Sequence, residues 1–97
     1  MKFTVKKHNK HIANIMRGLG YRLLGRQREG EWSFVKSLTG GPYPRFHVYI
    51  TQQKGDMLAM NLHMDQKKPS YEGAAAHSGE YGGVLVEQEA ERIKRSL

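Results

Sequence analysis

Arg45-Phe46-His47-Val48-Tyr49-Ile50-Thr51 and Met57-Leu58-Ala59-Met60-Asn61-Leu62-His63-Met64 each alternate apolar and polar residues, and Gln52-Gln53-Lys54-Gly55-Asp56 between them has the composition of a turn. Side chains on a strand point alternately to its two faces, so this pattern predicts an antiparallel hairpin with one dry and one wet face. The dry face carries Phe46, Val48 and Ile50 with Leu58, Met60, Leu62 and Met64; the wet face carries Arg45, His47 and Tyr49 with Ala59, Asn61 and His63. A slip of one residue would exchange the two faces, so the register is strongly specified.

Toward the N-terminus, Thr39-Gly40-Gly41-Pro42-Tyr43-Pro44 reads as a loop, because its glycines and prolines oppose regular structure. It lacks the Gly-Lys-Ser/Thr ending and the following helix of a phosphate-binding loop. Before it, 21–27 and 31–38 flank Gly30 as an earlier hairpin, with Arg22, Arg26, Ser33 and Ser37 expected on the wet face and Tyr21, Trp32 and Phe34 turned to the core. Ile12, Ile15, Met16 and Leu19 recur at i, i+3, i+4 and i+7, predicting a helix over 9–19 with Asn9 as N-cap, Gly20 as the stop, and Lys10 and Arg17 facing outward. Residues 1–8 read as a basic arm or, through Lys2-Phe3-Thr4-Val5-Lys6, as a short edge strand.

Toward the C-terminus, residues 65–83 hold one proline, four glycines and almost no aliphatic residue, the composition of a long loop. Val84 to Leu97 then reads as a helix whose apolar stripe is Val86, Ala90, Ile93 and Leu97, with Glu87 and Glu89 in its early turns and Arg92, Lys94 and Arg95 in its last. The whole is a single α+β domain spanning residues 1–97: an antiparallel sheet of three or four strands in hairpins, a C-terminal helix, and both helices on one sheet face. Leu, Ile, Val and Phe supply only 20 of the 97 residues, so the core is small.

The stretch Ile15 to Phe34, within residues 10–50, resembles the HicA-type toxins that cleave messenger RNA on a double-stranded-RNA-binding-domain-like fold. The resemblance lies in a helix ending in Leu19-Gly20-Tyr21, then Arg26-Gln27, a Gly30 turn and the strand Trp32-Ser33-Phe34-Val35. It implies that fold. It does not carry the nuclease activity over, because Gly30-Glu31-Trp32 places tryptophan where those toxins have their catalytic histidine. Glu87 and Glu89 likewise stand where the lysine-rich second helix of double-stranded-RNA-binding domains meets the RNA backbone.

Charge points to a class of partner. Sixteen basic residues face nine acidic ones, and residues 1–28 hold eight of the basic and none of the acidic. A one-sided basic surface suits phosphate backbones, so the leading expectation is a non-catalytic nucleic-acid-binding domain, for RNA more than DNA, using Lys10, Arg17, Arg22, Arg26, Arg45, His47, Tyr49 and His63. The alternative is a small nuclease or hydrolase. Its candidate catalytic residues are His47, His63, His77 and Glu80, and its candidate metal ligands are His63, Asp65, His77 and Glu80, with His47 across the hairpin; these are nitrogen and oxygen donors suited to Zn²⁺, Mn²⁺ or Fe²⁺. A homodimer or protein partner meeting the sheet face through Leu24, Val35 and Ala59 is the third reading. No cofactor is called for and no metal is favoured. With no cysteine, no membrane-length apolar run and no apolar stretch near Met1, a cytoplasmic protein without membrane contact is expected.

Overall fold

The computed structural model describes residues 1–28, 30–66 and 83–97, with the backbone alone for 26–28. Five strands form one antiparallel sheet: β1 (Lys2–Lys6), β2 (Arg22–Arg28), β3 (Glu31–Ser37), β4 (Arg45–Gln52) and β5 (Met57–Asp65), in the spatial order β1-β5-β4-β3-β2. Helix α1 (Ile12–Gly18) lies between β1 and β2, and α2 (Gly83–Ser96) follows β5. The α+β architecture matches the sequence reading, with one strand more than expected: Lys2 to Lys6 is not a free arm but pairs with β5, Phe3 opposite Met60 and Val5 opposite Leu58. Val5 is buried and Phe3 packs against the core, which is what draws so short a segment onto the sheet.

β4 and β5 pair as their alternation requires, Phe46 with Met64, Val48 with Leu62 and Ile50 with Met60. These side chains meet Ile12, Ile15 and Met16 of α1 and Val86, Ala90 and Ile93 of α2 in one buried cluster. Both helices therefore cover the same sheet face.

Helix α1 is shorter than its apolar spacing suggests. His8 and Asn9 both have positive φ, and the Asn9 N–H is bound by the Asp56 carboxylate rather than by the helix, so Asn9 is not the N-cap and the helix begins at Ile12. The stop is as expected. Gly20 takes φ +96°, and the Gly20 and Tyr21 amides donate to the Arg17 and Met16 carbonyls, closing the last turn as a Schellman motif.

One polar group lies within the packed layer. Glu89 is 5% exposed; it accepts a 2.6 Å hydrogen bond from the Tyr21 hydroxyl and a fork from Arg92 at 2.7 and 2.8 Å. Arg92 also donates to the Leu19 carbonyl at the end of α1, tying the two helices together. Burial opposes the Glu89 charge, but the hydrogen bonds from Arg92 and Tyr21 hold its pKa below the usual glutamate value. No helix among the described residues is long and apolar enough to cross a membrane.

Candidate metal centre

Strand register lays the sheet face away from the two helices out as a grid. Ser37, Arg45 and Asp65 form one row across β3, β4 and β5; Val35, His47 and His63 form the next, with Arg22 beyond Val35 on β2. Ser33, Tyr49 and Asn61 follow, with Lys2 beyond Asn61 on β1, and then Glu31, Thr51 and Ala59, with Thr4 beyond Ala59. Opposed residues on antiparallel strands share a face, so the alternation of the hairpin gathers these polar side chains on the side away from both helices.

His47 is the hub. The residue is 6% exposed, with Nε2 2.6 Å from Ser33 Oγ and Nδ1 3.0 Å from Asp65 Oδ2. Arg45 Nε donates to the same Asp65 oxygen at 3.0 Å. His63 stands across the pair from His47, with ring centroids 5.3 Å apart, and the Tyr49 ring packs 4.5 Å from His47 and 5.3 Å from His63. Ligand atoms of His47, His63 and Asp65 lie within 4.8 Å of one another.

Ionisation suits ligation. Burial, then the neighbouring His47, lowers the His63 pKa and so favours its neutral ring; burial opposes the Asp65 charge, but hydrogen bonds from His47 and Arg45 hold that carboxyl below its usual range. Two imidazoles and a carboxylate are the donor set of open zinc-type sites.

The Ser33-His47-Asp65 chain has the hydrogen-bond order of a nucleophilic triad, Asp65 accepting from Nδ1–H while Nε2 accepts from the Ser33 hydroxyl. Burial decides against that chemistry. Ser33 has no exposed surface, so an electrophile cannot approach Oγ, whereas His63 and Asp65 are only partly buried. Were a cation held at Nδ1, that nitrogen would carry no proton and Nε2–H would donate to Ser33 Oγ, the outer partner that metal-bound imidazoles usually have.

The other sequence candidates are distributed unevenly. Arg45, His47, Tyr49 and His63 meet on the face away from the helices, and Asp65 is the last residue of β5 rather than part of the following loop. Arg22 is exposed one strand beyond Val35. The backbone register departs from expectation at Arg26: a shift between Leu23 and Gly25 sets it opposite Trp32. Lys10 precedes α1 and Arg17 lies on it, so they belong to the helical side and form no joint surface with His47 and Tyr49. Arg45 is already paired with Asp65 and His47 is buried, which removes both as free phosphate ligands. Val35, expected to provide interface contact, is 2% exposed, while Leu24 on the edge strand is exposed. His77 and Glu80 lie outside the described residues. Ser33 as the partner of His47 went unpredicted, since its position depends on the register between the two hairpins.

Beside the cluster, the same face opens into a groove of about 800 Å³ lined by Lys2, Thr4, Glu31, Tyr49, Thr51 and Asn61 among others. No family model, curated protein or solved structure matches this chain.

Proposed function

We propose that the protein is a metal-dependent hydrolase whose centre is a single Zn²⁺-class ion held by His47, His63 and Asp65. The observation that supports this reading is the convergence of those three donors within 4.8 Å on the sheet face opposite the two described helices. Three protein ligands leave a position for water, and a bound divalent ion lowers the pKa of that water enough to supply hydroxide near neutral pH. Arg45 keeps Asp65 oriented and ionised, Ser33 anchors the far side of His47, and the Tyr49 ring flanks both imidazoles.

The test begins with metal-stripped protein titrated with Co²⁺, whose visible absorption reports tetrahedral nitrogen and oxygen ligation. Hydrolysis of p-nitrophenyl acetate and bis(p-nitrophenyl) phosphate by the Zn²⁺- and Mn²⁺-loaded forms follows. We expect saturable Co²⁺ binding that His63→Ala abolishes, with metal-dependent turnover of at least one ester. Absence of Co²⁺ binding, or equal binding by His63→Ala, overturns the centre; binding without turnover reduces the reading to metal binding alone.

A further inference from the structure

The groove beside the centre carries no role so far, and its lining describes a ligand. Tyr49 belongs both to the groove and to the ring cluster around His47, so the groove begins where the metal ligands end. Strands rise about 3.4 Å per residue, which sets the Tyr49-Asn61-Lys2 row about 7 Å from the His47-His63 row and one row nearer the centre than Thr51, Ala59 and Thr4. Tyr49 offers a half-buried aromatic ring, Asn61 an amide, Thr4 and Thr51 hydroxyls and Lys2 an ammonium group. Ala59 between Thr51 and Thr4 keeps the floor low.

An aromatic face for a flat ring, an amide beside it, a cation at the rim and an ion site one row away suit a nucleotide with its base on Tyr49 and its phosphodiester at the ion. The chain carries a formal +7, and Lys2, Lys6 and Arg22 are exposed around this face against a single carboxylate, Glu31, among the groove's described lining. Lysines 2 and 6 stand on the same side of β1 as Thr4, and Lys2 with Thr4 lines the groove.

We infer that the groove binds single-stranded nucleic acid, RNA in the first instance, and delivers its phosphodiester backbone to the His47-His63-Asp65 centre. This rests on the hydrolase reading above and names its substrate class. Single strands are required because a base already stacked within a duplex cannot lie on Tyr49. The surface is also distinct from the basic helical side of Lys10 and Arg17, which faces away from the groove.

The experiment is fluorescence anisotropy of a short fluorescein-labelled single-stranded RNA and of its duplex, titrated with Zn²⁺-loaded wild-type protein and variants. A stacked base contributes enough that Tyr49→Ala should weaken single-strand binding about 5- to 150-fold, while Tyr49→Phe, which keeps the ring, stays within about threefold. Thr4→Glu, at an exposed position on the edge strand, should weaken it by placing a carboxylate against the backbone, and it tests the groove without removing a packed side chain. Equal affinity for duplex and single strand, or binding unaffected by both Tyr49→Ala and Thr4→Glu, overturns the inference. A Co²⁺ titration of wild-type protein alongside separates the two failures: no Co²⁺ binding overturns the metal centre and this inference with it, whereas Co²⁺ binding with groove-independent RNA binding overturns this inference alone.

Discussion

Replacing Glu89 by alanine removes the acceptor that Tyr21 and Arg92 share. The Tyr21 hydroxyl, on a residue 4% exposed, is then left without its partner, a loss of about 1–3 kcal/mol. The Arg92 side chain is 37% exposed and water replaces much of its lost pairing, adding about 0.5–1 kcal/mol. A destabilisation of about 1.5–4 kcal/mol follows, which at a urea m-value of about 1.3 kcal/mol/M lowers the unfolding midpoint by about 1–3 M. Trp32, the only tryptophan, packs against the core and reports unfolding by its fluorescence, with circular dichroism as the second probe. Glu89→Gln keeps an acceptor for Tyr21 and should lose less than half as much. In a Tyr21→Phe background the cost of Glu89→Ala should fall by about 1 kcal/mol or more, because no hydroxyl remains to be orphaned. The charge also has a pH signature. The folded-state pKa of Glu89 lies below its reference value of 4.5, so its contribution is complete above that value and is lost as pH falls through the lower folded value. Glu89→Gln should therefore flatten the acid limb of the stability curve. A midpoint shift under about 0.4 M for Glu89→Ala would mean that neither the Tyr21 hydroxyl nor Arg92 depends on Glu89 for its pairing.

Ser33→Ala should weaken Co²⁺ or Zn²⁺ binding about 10- to 100-fold with every ligand still present, and shift the Co²⁺ spectrum, because the far nitrogen of His47 loses its anchor; unchanged affinity and spectrum would leave Ser33 a packing residue only. Gly20→Ala should cost about 1–2 kcal/mol and lower Tm by about 4–15 °C in a thermal melt, since φ +96° disfavours a side chain and an added Cβ would stand 3.2 Å from Lys36 Cε. Zn²⁺ at about a hundred times its Kd should stabilise the fold by about 2.7 kcal/mol, raising Tm by about 10–20 °C in calorimetry, and His63→Ala should remove the gain.

The second hairpin was legible because burial on one face writes a period of two into the chain, and Phe46 to Ile50 against Leu58 to Met64 carries it without interruption. The shortened α1 was not, because the left-handed turn at His8 and Asn9 is fixed by Asp56, a residue distant in sequence. Of the candidate site, His63 and Asp65 at i, i+2 with His47 across the hairpin could be assembled from alternation alone. Ser33 could not, since it requires the pairing of β3 with β4 across a loop whose length leaves register open. The pairing of Arg26 opposite Trp32 was missed for a different reason: the register shifts between Leu23 and Gly25, and a glycine inside a strand, here Gly25, is the local sign of such a bulge. Glu89 read as a complement to the helix dipole, but packing rotates it inward to meet Tyr21.

The pairing of β1 with β5 has a kinetic consequence. The turn joining β4 and β5 closes over a few residues, whereas β1 must cross more than forty further positions to reach Met57, and a roughly tenfold longer loop costs about 2 kcal/mol more in closure entropy. The hairpins can form by local zippering, which makes β1 the last strand to dock and the first to detach. When it leaves, the outer edge of β5 loses its hydrogen-bonding partner and Leu58 and Met60 lose part of their cover. In native-state hydrogen exchange those outer β5 amides should open in step with β1 and ahead of β4, marking the N-terminal strand as the guard against intermolecular sheet growth.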